Sequence, residues 1–327
     1  VGESAAGHGY LGVVRPGEAI RIFTGAALPA DCDAVVIQED ARRDGETVTL
    51  PVAAPGAHIR PAGGDFRAGA HLLSRGARID AWRLSLAAAA GRAELAVARR
   101  PRVALFSTGE EIVEPPVQPG QFQIYDSGSR ALAALIGGWG GEVHRARPVK
   151  DELEATIEAL RQARGDLVVT IGGASVGDHD LVRTAADALG LQMKVASVAV
   201  RPGKPTFFGV LADGRRLLGL PGNPASAMVC AELFLKPVLA AYQGADASVK
   251  LIGAQLAQPL PANGPREHWM RARLAFDGGR VVAEPFRDQD SSLVSVFSAA
   301  DALLKRPANA PAAGAGEVVE VLPLSRA

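Results

Sequence analysis

The rhythm of hydrophobic and polar positions changes three times along the chain. Residues 1–58 carry short Val- and Ile-rich runs at 19–23, 33–38 and 47–52, separated by Gly, Pro and Asp, a pattern that predicts a small β domain. Residues 81–98 read as a short helix broken near Gly91 with a β-prone passage after it, so 59–100 is expected to be connecting structure. Over 101–244, strand-like apolar runs alternate with helical ones, the signature of a layered α/β domain with a largely parallel sheet. Strand patterns return at 251–257, 269–276, 281–284 and 318–322, with a turn at Asp277 to Gly279, and predict a small barrel or sandwich over 245–327. The expected fold class is therefore α/β: a three-layer α/β domain flanked by an N-terminal small β domain and a C-terminal β-barrel-like domain.

The pattern is clearest at Leu167, Val168, Val169, Thr170 and Ile171, an apolar run bounded by Asp166 and Gly172, as in a parallel strand buried on both faces. Apolar residues then fall at Leu181, Val182, Ala185, Ala186 and Leu189, a helical spacing that Gly190 ends. Between the two, Gly172, Gly173 and Gly177 let the backbone approach a ligand closely, and amides at the carboxyl end of a parallel strand point toward phosphate or another oxyanion. The spacing matches neither GxxxxGK(S/T) nor GxGxxG. Taken alone, this loop is equally an ordinary strand-to-helix connection.

Other segments of the α/β region add chemistry to that loop. The strand 103–106 runs into STGEEI, where the adjacent carboxylates Glu110 and Glu111 suit a metal or a base, or form a solvated turn. A helix follows IYDS, and a second strand is expected at 143–149. Asp151 with Glu154 makes a capping-box-like pair, while Asp180 either caps the helix from Leu181 or projects into a site with Asp178. After a strand at 193–200, RPGKP holds Arg201 and Lys204 in a stiff cationic loop. Runs at 207–211 and 216–220 flank Asp213 and Gly214, a hairpin signal. In GLPGNPASA, Asn223 is a cap and Pro224 the first residue of a helix to about residue 244, kinked at Pro237, which makes a second glycine-loop cradle for an anion. In the first domain, Thr24 sits where a strand ends and Asp65 on a Gly/Pro loop, each a turn-former or a functional group.

Composition narrows the classes. The 327 residues suffice for two or more domains. Lys plus Arg equals Asp plus Glu at 35 each, so no basic field points to nucleic acid and no acidic bias to disorder, which leaves a small-molecule substrate. Cys32 and Cys230 stand apart from any CxxC or Cys/His grouping, which argues against a disulfide framework or structural zinc and for a reducing, cytoplasmic setting. The six histidines show no metal-ligand spacing. No apolar run approaches the roughly 20 residues of a membrane span, and no signal peptide is evident. The chain begins at Val1, as expected of a fragment or processed form.

The ordered set STGEE, IYDS, GGASVGDHD, RPGKP and GLPGNPASA, together with RIFTG and RPAGGDF, strongly resembles the MoeA family of molybdopterin molybdenumtransferases, related to the plant Cnx1 and gephyrin E domains. The resemblance covers nearly the whole chain. It implies insertion of molybdate into adenylylated molybdopterin with release of AMP, assisted by Mg²⁺, in an elongated homodimer that can also meet the molybdopterin adenylyltransferase. By similarity, Thr24, Asp65, Glu111, Asp151 and Asp180 fall at functionally important positions, which replaces the structural reading of Thr24, Asp65 and Asp151. Glu111, Asp178 and Asp180 become the expected metal ligands. Gly172, Gly173, Ser175, Gly177, Arg201, Lys204, Pro221, Gly222, Asn223, Pro224 and Ser226 become the expected substrate-binding set. In that set Arg201 and Lys204 suit a tetrahedral dianion and the glycine loops suit phosphates. In the family, Thr24 and Asp65 would act across the dimer. Arg266, Arg271, Ser291 and Ser292 also lie in family-like stretches. The chain departs from the family pattern at Ile171, Ala174 and Gly128, and the family's DNSAMDGYA-type segment is not in it. The related adenylyltransferase, which shares the α/β domain, and a gephyrin-like scaffold are the competing readings.

Overall fold

The computed structural model describes residues 1–173 and 181–324. It divides into two compact units, Val1–Leu72 and Leu73–Ala327.

The first unit is built from short strands. β1 (Glu3–Ser4) pairs in parallel with β2 (Arg21–Ile22), and β3 (Arg42–Asp44) forms a hairpin with β4 (Thr47–Thr49). The buried Ser4 hydroxyl donates to the Ala27 carbonyl at 2.8 Å, holding the first strand against the turn after the second. The expected strand at 33–38 does not form. The Asp33 carbonyl accepts from Gly56 N–H and Val35 N–H donates to Ala57, so this stretch is tied to a loop rather than to a ladder. It ends in a short 3-10 turn, Gln38–Asp40.

The second unit opens on α1 (Ala81–Ala89), capped by the Asp80 carboxylate accepting from Arg83 N–H at 2.9 Å. The helix stops before Gly91 because Arg92 N–H turns back onto the Ala87 carbonyl. The α/β layer follows with β5 (Arg102–Ser107), β6 (Ile112–Val113), β7 (Ile124–Tyr125), α2 (Gly128–Gly138), β8 (Glu142–Arg145), α3 (Leu153–Gln162), β9 (Leu167–Ile171), α4 (Leu181–Ala188), β10 (Gln192–Val195), β11 (Val200–Arg201), β12 (Phe207–Val210), β13 (Arg216–Leu220), α5 (Pro224–Cys230) and α6 (Lys236–Tyr242). The sheet order is β10-β12-β13-β9-β5-β8; β8, β5, β9 and β13 run parallel, the hairpin partner β12 runs against them, and the edge strand β10, antiparallel to β12, runs in their direction.

Every residue of β9 is buried, and alternate side chains serve opposite faces. Leu167, Val169 and Ile171 meet Leu132 and Ile136 of α2 and Ala227, Leu235 and Leu239 of the last helical run. Val168 faces Ile157 and Leu160 of α3 and Val182 and Ala185 of α4. Three layers result. The run from Pro224 to Tyr242 is long and apolar enough to meet a membrane-span criterion, contrary to the sequence expectation, but these core contacts account for its composition. Its expected kink takes the form of a widened π turn at Ala231–Leu235, which relieves the crowding between Pro237 and the preceding turn.

At the opposite end of the strands, Arg99 donates two 2.6 Å hydrogen bonds to the Asp166 carboxylate and Arg102 N–H a third. The Arg99 bonds above all hold the carboxyl at about 2. Because this value lies below the ordinary one, Asp166 stabilises the fold above about pH 4, and the contribution disappears as pH falls toward 2. Asp166→Asn should therefore lower the urea midpoint at pH 6 and make little difference near pH 2. An equal loss at both values would refute the linkage.

The remaining strands are β14 (Ile252–Leu256), β15 (Glu267–Asp277), β16 (Arg280–Pro285), β17 (Ala302–Arg306) and β18 (Val318–Pro323), with α7 (Val294–Ala299) between β16 and β17. The order β15-β16-β14-β18-β17 closes because β17 pairs back onto β15, giving a five-stranded barrel. β17 was absent from the sequence reading. The expected strand at 193–200 is divided: β10 edges the α/β sheet, whereas β11 joins the barrel sheet beside β15. The RPGKP loop thus leaves from a strand that belongs to the barrel and returns to the α/β sheet.

Candidate functional site

Because β5, β9 and β13 are parallel neighbours, the turns after them share one edge of the sheet. Thr108 N–H donates to the Ile171 carbonyl at 2.9 Å and Gly172 N–H to the Leu220 carbonyl at 3.2 Å, which stitches the three turns together. Gly172 has φ +88°, and a Cβ there would lie 2.8 Å from the Thr108 carbonyl oxygen. A Cβ on Gly222 would meet the Gly172 Cα at 3.4 Å. Glycine at 172 thus lets the backbones meet with nothing between them. Gly172→Ala is expected to cost about 2 kcal/mol through left-handed strain and this clash. Thermal unfolding reads the loss, and an unchanged midpoint would contradict the contact.

The third turn leads into α5. Pro221 and Ser226 are buried, Gly222 and Asn223 exposed, and Pro224 occupies the first helical position after Asn223. The Asn223 amide donates to the Ser291 hydroxyl at 2.7 Å, and Ala225 N–H to the Ser291 carbonyl at 3.1 Å. The loop after β16 is therefore docked on the start of α5, and the barrel contributes to this edge.

After β5, the chain exposes Glu110 and Glu111, which line an open hollow of about 520 Å³ with Phe122 and Gln123. Glu111 is held through its backbone, since its carbonyl accepts from Ile124 N–H at 2.7 Å and β6 pairs with β7. The next residue after β7, Asp126, is the buried anchor of this segment. Its carboxylate accepts from the Ser107 hydroxyl at 3.0 Å, Ser129 N–H at 2.9 Å and the Ser129 hydroxyl at 2.5 Å. Arg145 lies 3.9 Å from the same carboxylate and is also paired with Glu114. Sequence reading passed over Asp126 as part of IYDS, although an acid followed three residues later by Ser129 at a helix start was a usable signal.

Cationic groups gather where barrel and α/β layer adjoin. Arg201 and Lys204 are exposed, and Arg201 stands opposite His268 in the β11–β15 register. Beneath this loop the Thr206 hydroxyl donates to Cys230 Sγ at 3.2 Å, and burial pushes the Cys230 thiol up to about 12, so it is inert packing. His268 is pulled down to about 4 by burial, with Arg201, Arg271 and Arg266 adding repulsion, and is neutral at pH 7. Arg271 is fully buried on β15. Its Nη2 donates to the Asp290 carbonyl at 2.8 Å, whereas Nε and Nη1 have no partner. Burial lowers its pKa, opposed by Asp288 and Asp290, yet a guanidinium keeps its charge. A buried charge with two unused donors is the arrangement expected where an anion binds.

Two residues before Asp151, Val149 bridges Thr108 in parallel and its carbonyl accepts from Gly109 N–H at 3.1 Å, which brings this segment beside the turn after β5. Asp151 is exposed, and α3 is capped at Glu152 with no side-chain bond, so the capping-box reading of Asp151 and Glu154 is overturned. The helix simply starts two residues later. Thr24 and Asp65 are exposed turn residues of the first unit, Thr24 following β2. Ser175, Gly177, Asp178 and Asp180 lie outside the described residues. Among the described residues, no group of three His, Cys, Asp or Glu side chains converges as a metal site. Glu111 alone of the expected ligands is placed, and an exposed carboxylate is the kind of oxygen donor that Mg²⁺ takes together with water and phosphate.

Three family models match in order: the MoeA N-terminal region (domain I and II) over residues 1–91, a probable molybdopterin binding domain over 104–241, and the MoeA C-terminal region (domain IV) over 253–324. A molybdopterin molybdenumtransferase of Staphylococcus epidermidis is 32% identical over 311 residues, covering 93% of this chain and 74% of its own length. The chain belongs to the MoeA family. Molybdopterin molybdenumtransferase 2 of Mycobacterium tuberculosis is 34% identical over 331 residues, covering 98% of this chain and 80% of its own. A Nostoc molybdopterin molybdenumtransferase is 39% identical, but the match spans only 56% of its length. The solved structure of a MoeA protein from Pyrococcus horikoshii superposes with a TM-score of 0.81 at 32% identity, covering all of this chain and 81% of that one. The three-layer domain and five-stranded barrel are thus the MoeA arrangement of the edge described above, and the chain has a role in molybdenum cofactor biosynthesis.

Proposed function

We propose that this MoeA chain inserts molybdate into adenylylated molybdopterin with release of AMP. The observation that carries the reading is Arg271, a fully buried guanidinium with two unpartnered nitrogens beside Arg201 and a neutral His268. Molybdate is a tetrahedral dianion, and Arg271 with Arg201 and Lys204 supplies the donors it needs. The turns at Gly172–Gly173 and Pro221–Pro224 cradle the phosphates, with the buried Ser226 following the second turn, and the resemblance adds Ser175 and Gly177 to the same binding set.

Cleavage of the phosphoanhydride requires neutralised phosphate charge and an aligned oxygen nucleophile, and bound Mg²⁺ supplies the first of these. Glu111, with Asp178 and Asp180, would hold the ion. Asp151, with Thr24 and Asp65 from the partner subunit of a homodimer, completes the reacting group set. The same reading sets the protein in the cytoplasm, receiving its substrate from the molybdopterin adenylyltransferase.

Purified protein given adenylylated molybdopterin, molybdate and Mg²⁺ is expected to release AMP and form the molybdenum cofactor. Binding without turnover would favour a scaffold, and synthesis of the adenylate from ATP and molybdopterin would favour an adenylyltransferase. Asp180→Asn is expected to abolish AMP release and leave the unfolding midpoint unchanged; full activity would remove Asp180 from the mechanism.

A further inference from the structure

We propose that His268 is a proton-linked member of the oxyanion site around Arg271: it takes up a proton as the dianion binds and then donates a hydrogen bond to it. The proposal rests on the function just given and adds a titrating group to its cationic cluster.

His268 is 8% exposed, and its ring makes no hydrogen bond among the described residues. The charges acting on it are Arg201, Arg271 and Arg266, all cationic. Arg201 stands opposite it on β11, and the Arg266 guanidinium reaches the same strand, 3.5 Å from the Val200 carbonyl. On the other side Arg306 of β17 faces it in register, but that guanidinium is spent on the Pro261 and Pro311 carbonyls. The acids nearby are engaged elsewhere. Glu267 accepts from the Trp269 indole N–H at 2.8 Å and lies 4.0 Å from Lys305, while Asp288 and Asp290 act on Arg271. The helix α7, which also packs on β15, carries no charged residue.

Burial first, and then repulsion from the three guanidiniums, keeps the free ring neutral, with its pKa pulled down to about 4. A dianion bound at Arg271 offsets that repulsion and offers the imidazolium an acceptor, and both effects favour the charged ring. Because binding raises the pKa, the dianion binds the protonated form more tightly. Affinity should therefore rise as pH falls from the liganded value toward about 4, by up to about tenfold per pH unit, and level off below it.

Calorimetric titration with molybdate in two buffers of different ionisation enthalpy reads the proton directly. The parent protein should take up about one proton per molybdate at about pH 6, and its affinity should fall as pH is raised from there. His268→Gln should abolish the uptake and flatten the pH dependence, with His268→Asn as a second replacement that does not titrate. His144→Gln, which replaces an exposed histidine beside Glu142, should behave as the parent. Molybdate binding without proton uptake in the parent overturns the proposal and leaves the proposed function intact. Uptake that persists in His268→Gln and His268→Asn also overturns it, since another group would then be the acceptor. If the parent binds no molybdate, the oxyanion reading of Arg271 falls together with this one.

Discussion

Arg271→Met is expected to remove molybdate binding while leaving the ligand-free protein as stable as before, or more so. Two charge-assisted hydrogen bonds of about 1.5 kcal/mol or more each would be lost, roughly 100-fold or greater in affinity. The stability side follows from the present geometry. Arg271 is fully buried and uses one of its nitrogens on the Asp290 carbonyl, so its desolvation is poorly compensated in the free protein. A methionine of similar length removes that uncompensated charge, and replacement of a buried charge by an apolar side chain is often neutral or stabilising. The backbone bond from Arg271 N–H to the Gln289 side chain at 2.9 Å does not depend on the guanidinium. Arg273→Met is the control, since Arg273 lies exposed over the Phe286 ring on the same strand. Calorimetric titration with molybdate and thermal unfolding read the two effects. Wild-type molybdate affinity in Arg271→Met would contradict the assignment.

Asp126→Ala is expected to give the largest stability loss of any single substitution near the site, about 3 kcal/mol or more. The carboxylate satisfies two hydroxyls and the Ser129 N–H within a buried cluster. Removing it leaves those donors unpaired and strips Arg145 of one of its two acidic neighbours. The damage should extend to chemistry, because the carboxylate anchors the residue whose backbone N–H, kept in the alanine variant, bonds the Val113 carbonyl at 2.8 Å and closes the β6–β7 pair next to Glu111. Urea denaturation measures the loss. A change below about 0.5 kcal/mol, the range of an ordinary surface substitution, would show that the cluster is not an anchor.

The α/β layer was legible where one local signal was enough. The unbroken run at 167–171 became the central strand with unchanged bounds, and the Asp213–Gly214 signal became the hairpin between β12 and β13. Illegibility has physical causes at particular residues. In 193–200 the β propensity is continuous, but the chain passes from one sheet to another, a tertiary choice that no local pattern encodes. The run 302–306 is five residues long and was hidden behind α7; only its pairing to both β15 and β18 shows that it closes the barrel. Arg271 illustrates the same limit at the site. The resemblance marked Arg271 as lying in a family-like stretch, but the strand pattern of EHWMRARL does not show that the loop carrying Gln289 and Asp290 covers it. The two glycine cradles were legible separately, and the fold adds that backbone hydrogen bonds join them with the turn after β5 into one edge.

The central claim is that this edge couples anhydride cleavage to molybdate, and the molybdate dependence of AMP release tests it most directly. In single-turnover reactions with adenylylated molybdopterin and Mg²⁺, AMP should appear in proportion to added molybdate and in step with the molybdenum cofactor. AMP release at the same rate without molybdate, or none at saturating molybdate, would contradict the account.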